Sequence, residues 1–439
     1  MKTDRRRFLT TAGAAAVYKL AGPKPKMRAA GINDSVSLGF IGSGIRGTGL
    51  IDEFKPVPNV KMLAACDLYD GCLQRAKEQI GSDISVTKDY RQILDRKDID
   101  AVVIATPDHL HKKMVLDALA AGKHVYIEKP MTWSLDEGQA IIAAAKSSGK
   151  LVMVGSQGKT SPLTAKTKEL IATGAIGKVN MVRLTNHRNN AQGAWKYPVP
   201  PDASPQTIDW DRFLGDRPKR PFDPRVFFQW RCWWEFSGGV ATDLFVHLLT
   251  WLHEAMSVQA PVSVASFGGI WKWNDGRNVP DVMNSIFEYQ EGFVADVYVN
   301  LCNSYPTRSI TVMGSEGSLV EERGQLIRYY EPVDHDVQTY GTMQWPSAMR
   351  AAYFEQKGWT ANGRPKQPLP PPKQPDEIKI ERGPSHAEWF IISLRDGKPS
   401  RENAEEGHYA AGAAHVANMA YRKGKRFKWD YKTNKVSEG

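Results

Sequence analysis

Short apolar runs alternate with amphipathic ones over the first third of the chain. Residues 35–40 run into a glycine-rich turn, and comparable apolar runs recur at 61–66, 101–105, 124–127 and 151–154. Short runs of this kind, bounded by turn residues, read as strands buried on both faces. Helical periodicity lies between them, as at 112–121 and 135–147, the second opening with Ser134 and Glu137 in capping-box spacing. Strand and helix in alternation predict an α/β domain with a parallel, doubly wound sheet, ending near residues 156–161.

Beyond that point the pattern changes. After a helix at 162–173, strand-like runs appear at 179–185, 262–270, 284–288, 293–301 and 309–313, several alternating apolar and polar, with turns such as Gln290-Glu291-Gly292. Alternation leaves one sheet face apolar and predicts a C-terminal α+β domain on a mostly antiparallel sheet. A long insert at 189–236 is rich in proline and aromatic residues, and a proline-rich stretch at 365–375 reads as a surface strap. Helical patterns at 388–394 and 405–422 lead to Phe427-Lys428-Trp429-Asp430, placed to pack the C-terminus back onto the body. The expected division is 1–34 leader and linker, 35–158 first domain, 159–439 second domain.

Composition adds little to this picture until the charge is divided. The net charge is +10, but residues 1–30 hold four Lys, four Arg and one Asp, which leaves +3 for the rest. A body this near neutrality offers no basic stripe, so nucleic acid is not an expected partner. The leader Asp4-Arg5-Arg6-Arg7-Phe8-Leu9, followed by a mildly apolar segment, resembles a twin-arginine export signal; the alternative is a basic tail interrupted by Lys19. Export implies a periplasmic or external protein that travels folded. The four cysteines have no metal-ligand spacing, so neither disulfides nor a metal are expected. No later run reaches the 18 or so apolar residues of a membrane span, and none is expected in the mature chain.

The loop Gly42-Ser43-Gly44-Ile45-Arg46-Gly47 carries the clearest chemistry. Three glycines in this spacing allow a tight turn, close approach to a pyrophosphate, and close helix–strand packing, as in a Rossmann fold. The following helix offers its free N–H groups and dipole to the phosphates. Asp67 ends the next strand 20 residues past Gly47, where a carboxylate accepts both ribose hydroxyls and repels a 2′-phosphate. The next residues are Leu68 and Tyr69, not arginine, so NAD is preferred over NADP.

Two further segments carry a resemblance. Asp100-Ala101-Val102-Val103-Ile104-Ala105-Thr106-Pro107-Asp108-His109 and Gly122-Lys123-His124-Val125-Tyr126-Ile127-Glu128-Lys129-Pro130 resemble the fourth and fifth strands of the glucose-fructose oxidoreductase / inositol dehydrogenase (Gfo/Idh/MocA) family. The likeness continues through Ile176-Gly177-Lys178-Val179, Gly238-Gly239 and Trp429-Asp430, and spans essentially everything after residue 34. It implies that Lys129 lies beside the nicotinamide and hydrogen-bonds the reacting hydroxyl, with Glu128 framing the cofactor and Pro130 fixing the turn. It also implies that Thr106 and Pro107 line the nicotinamide ribose, with His109 either beside them or capping the next helix. Asp243 and His247, four residues apart, share one helix face at the spacing of the family's acid/base pair. His247 would take the hydroxyl proton, and Asp243 would orient it or contact substrate.

Trp195, Tyr197, Trp210, Trp230, Trp233 and Trp234 cluster in the insert with Arg188, Arg225 and Arg231. Aromatic faces stack on sugars and cations bind hydroxyls, so a carbohydrate or polyol fits; aromatic inserts also serve packing and subunit association, and a homo-oligomer is expected. His187, Arg188, Arg231 and Trp233 are the substrate-contact candidates, with His386 and Trp389 behind them. Three functions follow. One is an NAD-dependent sugar or polyol oxidoreductase. Another is a redox-neutral, NAD-dependent glycosidase in which oxidation at one sugar carbon is temporary. The third is a non-catalytic sugar sensor. Export favours tightly bound cofactor, because free NAD is scarce outside the cell.

Overall fold

The computed structural model describes residues 35–333 and 337–439, so the leader expected at 1–34 lies outside the described residues. Six parallel strands form the first sheet: β1 (Val36–Ile41), β2 (Val60–Cys66), β3 (Ser85–Thr87), β4 (Ala101–Ile104), β5 (His124–Glu128) and β6 (Val152–Gly155). Their order is β3-β2-β1-β4-β5-β6. β4 and most of β1 and β5 are buried, as befits strands covered by helices on both faces. Helix Ile45–Phe54 packs Leu50, Ile51 and Phe54 on one side, and helix His111–Ala120 packs Met114, Val115 and Leu119 on the other. Strand order reverses between β1 and β4, which opens a crevice at their carboxyl ends.

One local expectation is corrected. The helix predicted from 135 starts at Glu137, with Asp136 at its N-cap already in helical conformation. Ser134 therefore lies too early to cap the third amide. Only the return arm of the box forms, Glu137 Oε2 accepting from Trp133 N at 2.8 Å and Ser134 N at 3.3 Å.

The second sheet has ten strands: β7 (Val179–Asn186), β8 (Ser263–Gly269), β9 (Val282–Tyr289), β10 (Phe293–Asn300), β11 (Arg308–Gly314), β12 (Gly317–Glu322), β13 (Gln325–Tyr330), β14 (Asp376–Ile378), β15 (Phe427–Asp430) and β16 (Lys435–Glu438). They run β14-β13-β12-β11-β7-β10-β9-β8-β15-β16, and only β7 and β10 pair in parallel. Alternation in β9 and β10 turns Met283, Phe287, Ala295 and Val297 inward against helices Val246–Met256 and Ala404–Lys423. The hairpin β12–β13, which the strand pattern misses, turns on Arg323-Gly324 with φ of 51° and 81°, the paired positive values a tight hairpin requires.

The C-terminal part does not stay within the second domain. Helix His386–Asp396 sets Phe390 against Phe54 and Tyr126, with ring centroids 6.1 and 5.5 Å apart, inside the first domain's core. Val154 N donates to Glu402 O at 2.9 Å beyond β6, and β15 pairs with β8 to bury Trp429. Among the described residues, no helix is long and apolar enough to cross a membrane.

Candidate active site

The glycine loop closes β1 and opens helix Ile45–Phe54, and its three glycines answer three different demands. Gly42 has φ +86°, and a Cβ there would lie 2.7 Å from Ala105 O. At Gly47 a Cβ would meet Gly42 O at 2.0 Å, so helix and loop pack backbone to backbone. Gly44 is the opposite: a Cβ would meet nothing within 4 Å, so its bare face looks into the crevice. Gly44 also caps the helix without a side-chain bond, and no acidic residue occupies the first turn. This leaves the first N–H groups and the helix dipole for an anion. Ile45 is 67% exposed over the same space, an apolar surface for a flat ligand group.

Asp67 stands across the loop at the end of β2. Its Oδ2 accepts from Ser43 N at 2.8 Å and its Oδ1 from Tyr69 N at 3.0 Å, while burial pushes the carboxyl upward. Gly42, Ser43, Gly44, Ile45, Arg46, Asp67, Thr106 and Pro107 line one cleft of about 780 Å³. The shape and donor set fit a dinucleotide: a backbone cradle for pyrophosphate, a carboxylate for a ribose and an apolar floor.

Glu128 closes β5 and is tied to the cleft through Arg46. Its Oε1 accepts from Arg46 Nε at 2.7 Å, and Arg46 Nη1 also reaches Glu53 at 2.6 Å. The next residue, Lys129, precedes a cis-proline and points across to the second domain. Lys129 Nζ donates to Asp243 Oδ1 at 2.9 Å and to Asp243 O at 2.8 Å. Arg231 Nε donates to the same Oδ1 at 3.0 Å, and Trp195 Nε1 to Oδ2 at 3.0 Å. Burial alone would raise the Asp243 carboxyl, but Lys129, Arg231 and Arg188 together hold it well below the usual range. Asp243 is therefore a fixed anion between two cations.

His247 follows on the next turn, but the two residues do not sit on a regular α-helix. Residues Ala241–Phe245 form a π-turn, and Asp243 is directed at Lys129 and Arg231. Among the described residues no side-chain hydrogen bond joins Asp243 to His247. The expected orienting bond is thus replaced by the ion cluster. Burial, and then Lys129, pushes the His247 imidazole well below its ordinary value, which favours the neutral ring over the imidazolium.

The remaining candidates divide. Arg188 is half-buried and its charge acts on both Asp243 and His247; Arg231 also stacks on Trp230 at 4.1 Å. His187 sits just beyond the end of β7, its Nδ1 accepting from Asn300 N at 3.1 Å and its ring edge on Tyr298. Trp233 is buried in the second domain's core. His109 does not line the cleft; its Nε2 meets Phe213 O at 2.7 Å and its ring packs on Phe213 and Phe236, which ties the insert down. His386 bonds Val154 O at 2.8 Å between the domains, and Trp389 is covered by Arg401.

Two residues near the centre carry more than the sequence reading gave them. His111 places Nδ1 2.8 Å from Pro130 O and Nε2 2.9 Å from Thr106 O, pinning the turn after β4 to the one that holds Lys129. Asp108 is buried beside the same charges and receives Thr242 Oγ1 at 3.4 Å; burial pushes its carboxyl up to about 7, with Arg231 and Asp243 acting in opposite directions. Their signal was position, beyond the carboxyl end of a parallel strand and two and five residues past Thr106.

Two family models match the chain, the oxidoreductase family NAD-binding Rossmann fold over residues 36–156 and the GFO/IDH/MocA C-terminal domain over 212–320. The chain belongs to the Gfo/Idh/MocA family. An uncharacterized oxidoreductase YrbE of Bacillus subtilis is 29% identical over 177 residues, 40% of this chain and 48% of that protein. An alpha-N-acetylgalactosaminidase of Shewanella oneidensis is 32% identical over 180 residues, 34% of this chain and 38% of that protein. The match thus spans less than half the length of either relative. Among solved structures, a levoglucosan dehydrogenase in complex with NADH and levoglucosan aligns with a TM-score of 0.61 at 20% identity, over 92% of this chain and 99% of that one, a likeness of fold.

Proposed function

We propose that this Gfo/Idh/MocA chain is an NAD-dependent oxidoreductase of a carbohydrate or polyol. The observation that carries the reading is Arg231, which lines the dinucleotide cleft and is bonded to the same Asp243 carboxylate as Lys129, on the turn before His247. When bound, NAD supplies a hydride acceptor, and the cradle at Gly42, Gly44 and Gly47 with Asp67 would hold it. Lys129 hydrogen-bonds the substrate hydroxyl and stabilises the oxygen as negative charge develops. His247 takes the hydroxyl proton at an imidazole nitrogen. Asp243 keeps Lys129 charged and aimed, while Arg188 and Arg231 bind further hydroxyls. Asp67 favours NAD over NADP, since a 2′-phosphate would face its carboxylate.

The alpha-N-acetylgalactosaminidase relative supports a second reading, a redox-neutral glycosidase on the same site. The leader favours it too: in an exported protein the dinucleotide is best kept bound, and a reaction that restores it each turnover needs no recycling partner. NAD-loaded protein mixed with free sugars, polyols and p-nitrophenyl glycosides separates the readings. Reduced nicotinamide without aglycone release supports the oxidoreductase. Aglycone release with no net reduction sinks it in favour of the glycosidase. Sugar binding with neither signal would leave a sensor, against which the assembled proton-handling groups argue. Export itself is checked by fractionation: the change Arg5→Lys with Arg6→Lys should leave the protein in the cytoplasm, and unchanged export would refute the leader reading.

A further inference from the structure

The cofactor cleft has two walls, and only one belongs to the dinucleotide-binding domain. The other is built by the insert, with Tyr197, Pro200, Phe227, Phe228 and Trp230 facing the glycine loop. The insert does not merely lean on the first domain. Asp209 N donates to Leu68 O at 2.9 Å and Asp70 N donates to Thr207 O at 3.1 Å, enclosing an antiparallel bridge between Tyr69 and Ile208. The Tyr69 hydroxyl donates to Asp202 Oδ1 at 2.5 Å, and its ring edge meets Phe228 at 5.3 Å. Lys88 Nζ donates to Thr207 O at 3.1 Å, and Arg212 reaches Lys88 O and Asp89 Oδ2, both at 3.4 Å.

The bonds of Leu68, Tyr69 and Asp70 close on the loop that begins at Asp67, the residue placed to hold the adenosine ribose, and those of Lys88 and Asp89 close on the turn after the neighbouring β3. His109, in the turn after β4, is bonded to Phe213 O in the same insert. The insert is therefore fastened to the first domain after β2 and after β4, the two strands that flank β1. A ligand lying along the glycine loop passes under it.

We propose that residues 197–231 form a strap that retains the dinucleotide through many turnovers, with Tyr69, Asp202 and the Thr207–Asp209 backbone as its clasp. The proposal rests on the dinucleotide reading of the cleft. These are positioning residues: they touch the loop that holds the cofactor and set how often the cleft opens. Separation of the clasp exposes several paired backbone groups at once, which makes opening cooperative and rare. Retention then follows from the covering chain, independently of how strongly the glycine loop binds.

The test uses the full chain loaded with NAD and chased with its fluorescent etheno analogue, reading dissociation rate directly. Wild type should exchange slowly, and Tyr69→Phe combined with Asp202→Ala should release NAD at least tenfold faster. Arg212→Ala, a surface change, should accelerate release by a smaller factor and decides the matter if the double variant fails to fold. Unchanged release in whichever of these variants folds overturns the strap. Wild-type exchange complete within a second also overturns it, while leaving the dinucleotide reading intact. Failure of wild type to bind NAD at all defeats both, and is distinguished by that result alone.

Discussion

Gly44 and Gly47 lie three residues apart in one loop, yet substitutions there should fail for opposite reasons. At Gly47 an added Cβ would stand 2.0 Å from Gly42 O, a backbone atom that cannot move without displacing β1 or the helix. Overpacking of this kind costs about 1–3 kcal/mol. At about 2–4 °C per kcal/mol, Gly47→Ala should lower the melting temperature by roughly 2–12 °C. At Gly44 nothing lies within 4 Å, and the backbone angles, φ −67° and ψ −161°, are open to any residue. Gly44→Val should therefore leave the fold nearly intact and fill the space where the pyrophosphate approaches. Loss of one charge-assisted hydrogen bond, about 1.5–3 kcal/mol, weakens binding about 10–100-fold. Calorimetric titration with NAD and thermal melts of the ligand-free proteins give both numbers. Wild-type NAD affinity in Gly44→Val, or a wild-type melt in Gly47→Ala, would refute this account of the loop.

Three further outcomes follow from the inner site. His247→Ala should keep NAD affinity and lose turnover about 10²–10⁴-fold, checked by titration and steady-state rates; unchanged turnover would remove His247 from proton transfer. Asp243→Ala leaves Lys129 and Arg231 facing each other without an anion, so urea unfolding should show a loss of about 3 kcal/mol, and a neutral result would mean the cluster is hydrated. Asp108 is raised from 3.8 to about 7, so between those pH values the folded state binds the proton and the unfolded state does not. Its contribution is present below pH 4 and lost as pH rises through 7. Asp108→Asn should therefore flatten the fall in melting temperature between pH 5 and pH 8, and an unchanged slope would contradict its burial.

The first sheet was legible because parallel strands covered on both faces must be apolar throughout, and five of its six strands stood out on that ground. β3 did not, since three residues carry no period. The second sheet was legible where strands had one wet face, as in β9 and β10, and obscure at β12–β13, where the turn Arg323-Gly324 had to be read instead of the strands. The glycine loop and Asp67 were readable because their chemistry is set within a short stretch of backbone. What the sequence could not give was anything decided between domains. The π-turn at Ala241–Phe245 aims Asp243 at Lys129, 114 residues away, and no helical period forecasts it. His109 read as a cofactor neighbour from its place after β4, but the insert returns Phe213 to it from 104 residues on. The role of the insert as a wall of the cleft is of the same kind: its aromatic content was plain, and its bonds to the loop after β2 were not.

On the proposed function, Lys129 joins the bound dinucleotide to a substrate hydroxyl. The most direct test of that role is the nicotinamide spectrum of NAD-loaded protein mixed in single turnover with a panel of sugars, polyols and glycosides, wild type against Lys129→Ala. At least one such compound should reduce the nicotinamide in wild type, transiently or to completion, while Lys129→Ala should bind the same NAD and stay oxidised. Reduction at the wild-type rate in Lys129→Ala, or an oxidised spectrum in wild type with every compound, would contradict it.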